Sequence, residues 1–146
     1  MHSFELRVRY GDTDQMGFAY YANYLRWFEI GRAEMLRAQG TSYREVEARG
    51  TSLPVLEAWC RYRTPARYDD LLAIATGVLS LKRASVRFGY RVTRGPAAEP
   101  LAFGATEHCF LDREGKPGRP PDALRDLLAR CPRVAGALER DLERRS

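Results

Sequence analysis

The segment Tyr21–Gly40, YANYLRWFEIGRAEMLRAQG, decides the fold. Tyr24, Trp27, Phe28, Gly31, Met35 and Ala38 recur three and four residues apart within it, the spacing of one face of an amphipathic helix. Gly40 stands where such a helix ends in a left-handed cap. Gly31, in the middle of the face, costs helix propensity, so its presence implies that the helix backbone packs closely onto something flat, a sheet.

Strands for that sheet are legible on both sides of the helix. Ser3–Tyr10, SFELRVRY, sets Phe4, Leu6, Val8 and Tyr10 against Glu5, Arg7 and Arg9, the period of two that marks a half-buried strand. After the helix, Ser42 and Glu45 have capping-box spacing and Gly50 ends the segment, which predicts a short connecting helix. Leu53–Arg63, LPVLEAWCRYR, reads as a strand, broken by TPARYDD, where Pro65 and Asp69-Asp70 favour a turn or bulge. LLAIATGVLSL from Leu71, SVRFGYRV from Ser85 and LAFGATEHCFL from Leu101 complete five strands, the last two parted by the turn-rich TRGPAAEP. A Gly/Pro-rich loop from Arg113 precedes helical spacing in Leu124, Leu127, Leu128 and again in Val134, Leu138, Leu142, with Pro132 between the two pieces. Strand, long helix, then four strands predicts an α+β fold: a five-stranded antiparallel sheet on one principal helix, in one domain over 1–146 with a helical extension from about 120. One helix is little cover for such a sheet, so pairing with a second copy is expected.

Composition narrows the function. At 146 residues and 45% hydrophobic, the chain can bury a core without metal or disulfide staples. The start, MHSFELRVRY, has no apolar leader and no run of about 18 apolar residues occurs, so neither a signal peptide nor a membrane span is read and a cytoplasmic protein is expected. Cys60, Cys109 and Cys131 are widely spaced without a C-x-x-C, which argues against disulfides or a zinc site; they are expected reduced and buried. His2 and His108 are the only histidines, so no metal centre is expected. The net charge of +5 is carried by arginine apart from Lys82 and Lys116. It would suit nucleic acid, anionic lipid or a phosphorylated small molecule, but there is neither helix-turn-helix spacing nor an exposed aromatic ladder, so nucleic acid is not expected.

Ahead of the helix, YGDTDQMGFAYYAN places Asp12 and Asp14 two apart, pointing the same way if the backbone stays extended. Asp residues there serve equally as turn and capping groups. They do not form a glycosidase pair, whose carboxylates flank a sugar from separate elements. A lone carboxylate suffices for a thioester, whose carbonyl is electrophilic and whose thiolate, with a thiol pKa of about 8.5, departs without a general acid. The carboxylate can attack or deprotonate water, and N–H groups of the first helical turn can stabilise the developing oxyanion.

YGDTDQMGFAYYANYLRWFEIGRAEMLR resembles the signature of hotdog-fold acyl-CoA thioesterases of the 4-hydroxybenzoyl-CoA thioesterase type, and TPARYDDLLAI, LKRASVRFGYRV and LAFGATEHCFL extend the likeness over about Phe4–Asp112. The resemblance implies a long helix wrapped by a five-stranded antiparallel sheet, and dimers or tetramers with the site at the subunit boundary. It implies that Asp14, second aspartate of D-x-D-x-x-G, is the catalytic carboxylate, and that Tyr21 contributes a backbone N–H polarising the thioester carbonyl. Gly17 would permit close approach of backbone to thioester, and Asp12 would be structural. Where related branches carry a histidine after the motif this chain has Phe18 and Tyr21, which favours an aspartate-only mechanism. By the same likeness Lys82 and Arg83, with Ser85, are candidates for the phosphates of coenzyme A, which enters as part of the substrate; no separate cofactor is implied. A dehydratase of the same fold and a non-catalytic acyl-CoA or nucleic-acid binder are the alternatives, the first disfavoured for want of a histidine–acid pair. His108, Cys109, Glu57, Asp69, Asp70 and Glu107 read as sheet, surface or turn residues; Trp27, Phe28 and Met35 as helix core; Trp59 and Tyr62 as core or acyl pocket.

Overall fold

The computed structural model describes residues 1–95 and 98–143; part of the turn read in TRGPAAEP, at 96 and 97, lies outside the described residues. The order is β1 (His2–Arg7), a 3-10 turn (Tyr10–Asp12), α1 (Asn23–Ala38), α2 (Tyr43–Ala48), β2 (Val55–Tyr62), β3 (Leu71–Leu81), β4 (Ser85–Thr93), β5 (Pro100–Cys109), α3 (Asp122–Arg130) and α4 (Ala137–Glu143). The strands form one antiparallel sheet in the order β1-β3-β4-β5-β2, wrapped on α1 in the hotdog arrangement.

The inner face of the sheet holds the main core. Trp27, Phe28 and Met35 of α1 are buried against Leu72, Ile74, Val78, Phe88 and Tyr90, with Phe28 stacked on Tyr90 at 4.4 Å between ring centroids. Gly31 is what allows α1 to sit this low: a Cβ there would lie 2.5 Å from Thr76 Oγ1 and 2.8 Å from Ile74 Cγ2. Gly40, at φ +84°, ends the helix, and the Ser42–Glu45 capping box starts α2.

The outer face is covered by the tail, which amends the expectation that one helix alone serves the sheet. Val78 N–H donates to Pro132 O (2.8 Å) and Val134 N–H to Val78 O (3.1 Å), at the bulge between Val78 and Ser80, so residues 132–134 run beside β3 beyond the reach of β1. α4 then lays Leu142 over the sheet beside Val134, Leu79, Phe103 and Ala105, with Trp59 and Leu138 at the margin. The free edge of β2 stays open, with Val55, Leu56 and Tyr62 exposed. Among the described residues no helix is long and apolar enough to cross a membrane.

Two readings need correction. Tyr10 is 80% exposed and lies in the 3-10 turn rather than in β1, because Asp12 takes the Arg9 N–H and turns the chain. Of the cysteines only Cys131 is buried; Cys60 and Cys109 are half-buried, and all three are free thiols.

Candidate active site

Between the 3-10 turn and α1 the chain makes a small hairpin. Thr13 bridges Ala19, Asp14 N–H donates to Phe18 O (2.9 Å) and Gly17 N–H to Asp14 O (3.0 Å). Gly17 has φ +77°, which this turn requires, whereas a Cβ would meet only Arg67 Nη1 at 4.0 Å. The glycine is thus accounted for by backbone conformation, not by crowding within the chain.

The hairpin gives the two aspartates different surroundings. Asp12 is 5% exposed: Oδ1 accepts from Arg26 Nη2 at 2.6 Å, Oδ2 from Arg9 N–H at 2.9 Å, and its carbonyl takes Asn23 Nδ2 and Tyr20 N–H. Both carboxylate oxygens are committed, Oδ1 to α1 through Arg26 and Oδ2 to the turn through Arg9. Asp14 is half-buried; Oδ1 accepts the Met16 N–H (2.9 Å) and Oδ2 has no partner among the described residues. Its charge reaches the Tyr20 phenol, which is raised chiefly by a hydrogen bond and charge coupling to Tyr21, and further by burial and by Asp14. Of the two aspartates, the one with an uncommitted carboxylate oxygen among the described residues is therefore Asp14.

At the start of α1 the Tyr20 and Tyr21 carbonyls are taken while, among the described residues, the Tyr21 and Ala22 amides are not. Asn23 N–H donates to Tyr20 O (3.0 Å), and Tyr21 O accepts both Tyr24 N–H (3.3 Å) and the Tyr62 hydroxyl (3.0 Å). The N–H groups of Tyr21 and Ala22 have no acceptor among the described residues. They are the orphan donors of a helix N-terminus, where an anion is favoured by geometry and dipole alike. Tyr21 is 61% exposed, and with Met16, Tyr20 and Tyr62 it leaves an exposed apolar rim there. A carboxylate, two free amides and an apolar rim can bind an uncharged carbonyl and stabilise an oxyanion formed from it.

The candidate phosphate ligands are elsewhere. Lys82 and Arg83 are exposed in the β3–β4 turn, Lys82 N–H donates to Ser85 O (2.8 Å), and Ser85 pairs with Cys109 in the sheet. The Asp14 hairpin is tied to the other end of β3, through Ala19 N–H to Ala66 O and Val8 to Asp69 and Asp70. At 3.3 Å per residue β3 separates the two by about 33 Å, so one protomer does not bring Asp14 and Lys82 together.

Sequence reading missed a second basic feature at that far end. An open cleft of about 770 Å³ is lined by Arg49, Arg113, Lys116 and Arg119, among others. Arg113 lies across Gly50 and donates to Ala48 O (3.0 Å). Arg49 stands more than 60 residues before the other three and is brought to them where Ser52 pairs with Leu111, a contact no local pattern signals. The Tyr62 hydroxyl was equally hidden, since β2 and the helix start are joined only in the folded chain.

Residues 8–130 match the profile of the thioesterase-like superfamily. YneP of Bacillus subtilis is 33% identical over 110 residues, 75% of this chain and 79% of that protein. The acyl-CoA thioester hydrolase YbgC of Escherichia coli O157:H7 is 37% identical over 87 residues, 60% of this chain and 65% of that one. Among solved structures, a hypothetical protein of Aquifex aeolicus superposes with a TM-score of 0.82 at 30% identity, over 88% of this chain and 99% of that one. DHNA-CoA thioesterase of Staphylococcus aureus does so at 0.80 and 26%, over 87% of each chain. With a hotdog sheet and a profile match over most of its length, the chain belongs to the thioesterase-like superfamily.

Proposed function

We propose that this chain hydrolyses acyl-CoA thioesters to the free carboxylic acid and CoA, with Asp14 as the reacting carboxylate. The observation that carries the reading is the difference between the aspartates: both oxygens of Asp12 are engaged, and Oδ2 of Asp14 has no partner among the described residues. Likeness to YbgC supports the substrate class. The thioester carbonyl oxygen accepts from Tyr21 N–H, which draws electron density from the carbonyl carbon. Asp14 either attacks that carbon, expelling CoA thiolate and leaving an anhydride that water cleaves, or takes a proton from the water that attacks it. In both routes the negative charge accumulating on oxygen is met by donors already in place. The chain acts as one domain, and the coenzyme is substrate.

The open β2 edge and the separation of Asp14 from Lys82 support a dimer in which two β2 edges meet antiparallel. β5 aligns Val55 with His108, and β4 aligns His108 with Val86 and hence with Leu81. The Tyr62 end of one β2 would then approach the end of the partner that carries the basic residues.

A thiol-release assay over a panel of acyl-CoAs tests the reading. Asp14→Asn should lower kcat by at least about 10²-fold with Kd for a non-hydrolysable analogue nearly unchanged. Wild-type turnover by that variant would refute the assignment of Asp14. Tight binding without release of thiol from any substrate would favour the binding-module alternative. A dehydratase is the weaker reading, since His108 is fully buried with both ring nitrogens engaged.

A further inference from the structure

We propose that Tyr62 is a positioning residue for the reaction, its hydroxyl locking the Tyr21–Ala22 peptide so that the Ala22 N–H joins the Tyr21 N–H as a second donor to the thioester oxygen. The proposal rests on the thioesterase reading above and goes beyond it in the residue and the second donor.

The geometry is a matter of which peptide each bond holds. The Tyr21 carbonyl and the Ala22 N–H belong to one rigid planar unit, so a contact that fixes the oxygen fixes the opposed hydrogen. Tyr62 Oη donates to that oxygen at 3.0 Å, while the helical bond from Tyr24 N–H is longer, at 3.3 Å. The preceding peptide, which carries the Tyr21 N–H, is held in the same sense through Tyr20 O and Asn23 N–H. Two consecutive amides therefore point out of the helix start with their carbonyls tied behind them.

Tyr62 is itself well placed to do this. It closes β2, and its ring meets Tyr24 edge-on at 5.0 Å and Tyr21 at 6.4 Å, so the sheet edge and the helix start are joined through one side chain. Its phenol is pushed above the ordinary tyrosine value, first by what burial it has and then by Cys60 beside it, so the hydroxyl remains a donor at any working pH. Accepting a second hydrogen bond also polarises the peptide and strengthens its N–H as a donor. The contribution is greatest where charge develops on the substrate oxygen, so loss of the hydroxyl should lower kcat more than it changes ground-state binding.

The test reads the carbonyl directly. With Asp14→Asn to prevent turnover, the C=O stretch of bound benzoyl-CoA is followed by difference infrared or Raman spectroscopy, and Tyr62→Phe is then added to that background. The proposal expects a downshift in Asp14→Asn that is clearly smaller in Asp14→Asn/Tyr62→Phe, with equal Kd and equal oligomeric state. In the enzyme with Asp14 intact, Tyr62→Phe should lose about 3–10-fold in kcat at nearly constant KM, the worth of one neutral hydrogen bond. Tyr24→Phe is the comparison: its hydroxyl accepts from Ala66 N–H and does not touch the 21–22 peptide, so the stretch should be unmoved. An unchanged downshift on adding Tyr62→Phe overturns the role of Tyr62 and leaves the amide reading standing. No downshift in Asp14→Asn itself overturns carbonyl polarisation by the helix start, and the proposal with it.

Discussion

Arg26, one turn into α1, donates to Asp12 at 2.6 Å across the mouth of the hairpin, and the other Asp12 oxygen takes the Arg9 N–H. This pair ties the end of the β1 segment to the long helix, and so sets where Asp14 lies relative to the helix start. Asp12 is nearly enclosed while Arg26 keeps 43% of its side chain in water, so the carboxylate is the partner that suffers when the contact is cut.

Asp12→Asn should therefore cost stability, by about 1.5–3 kcal/mol, the range for a hydrogen bond to a charged group. Arg26→Gln should cost a comparable amount, and the double variant less than the sum, because both remove the same contact. Denaturant melts of the three variants measure it. Strict additivity would mean that the two side chains act independently in solution.

Gly31→Ala should also destabilise, against the usual trend. In an exposed helix the change would gain roughly 0.5–1 kcal/mol. Here the added methyl meets Thr76 Oγ1 and Ile74 Cγ2 inside 3 Å, an overpacking that typically costs 1–3 kcal/mol. Adding Thr76→Ala should recover part of the loss. A thermal midpoint that rises in Gly31→Ala would show that α1 has room to lift from the sheet.

The same glycine shows how much of the fold was legible. Periodicity gives the helix, the break in propensity at Gly31 gives its close packing, and apolar or alternating runs between turn signals give the five strands, because each of these signals is local. The tail helices were legible too, but their placement was not: Gly77 and Gly89 signal a close approach only once Arg133, Val134 and Leu142 are seen above them. At the site, the aspartate motif marks the hairpin and the resemblance separates Asp12 from Asp14, while the different surroundings of the two carboxylates depend on Arg26, fourteen residues on from Asp12. The basic cleft and the Tyr62 contact join residues more than forty apart, which no spacing rule reaches.

If the reacting site is shared between two copies, mixed dimers will reveal it. Lys82→Ala/Arg83→Ala should raise KM for acyl-CoA with little change in kcat, and should not affect a pantetheine thioester that lacks the nucleotide. Mixing this chain with Asp14→Asn gives heterodimers with one intact and one doubly defective site, provided Asp14 works with Lys82 and Arg83 of the partner subunit. Activity at low substrate should then rise above that of either parent. No rise from a verified heterodimer would assign the phosphates to other cations, of which Arg113, Lys116 and Arg119 in the basic cleft are next to be changed.

Acid sensitivity should come in part from His108, at the far end of the inner sheet face. Its Nδ1 lies 2.9 Å from Leu53 O, which can only accept, so Nδ1 carries the proton; Nε2 then accepts from the Thr106 hydroxyl at 2.8 Å, and Thr106 accepts from Tyr90 at 2.7 Å. A second proton would displace the Thr106 donor and place a charge in a site with no exposure. Burial first, and then the Arg32 cation, lower the imidazole from 6.5 to about 4, with Leu53 O and Glu107 opposing. The unfolded chain takes up this proton near pH 6.5 and the folded chain only near 4, so between those values the unfolded state binds more protons and stability rises with pH. The contribution is complete above about pH 6.5 and is lost as pH falls to 4, on the order of 3 kcal/mol over the window. His108→Gln cannot titrate; it should be less stable at pH 8 yet lose less between pH 7 and 4.5 than the wild type. Chemical denaturation at both pH values gives the comparison, and an equal loss in the two proteins would assign the acid sensitivity to the carboxylates instead.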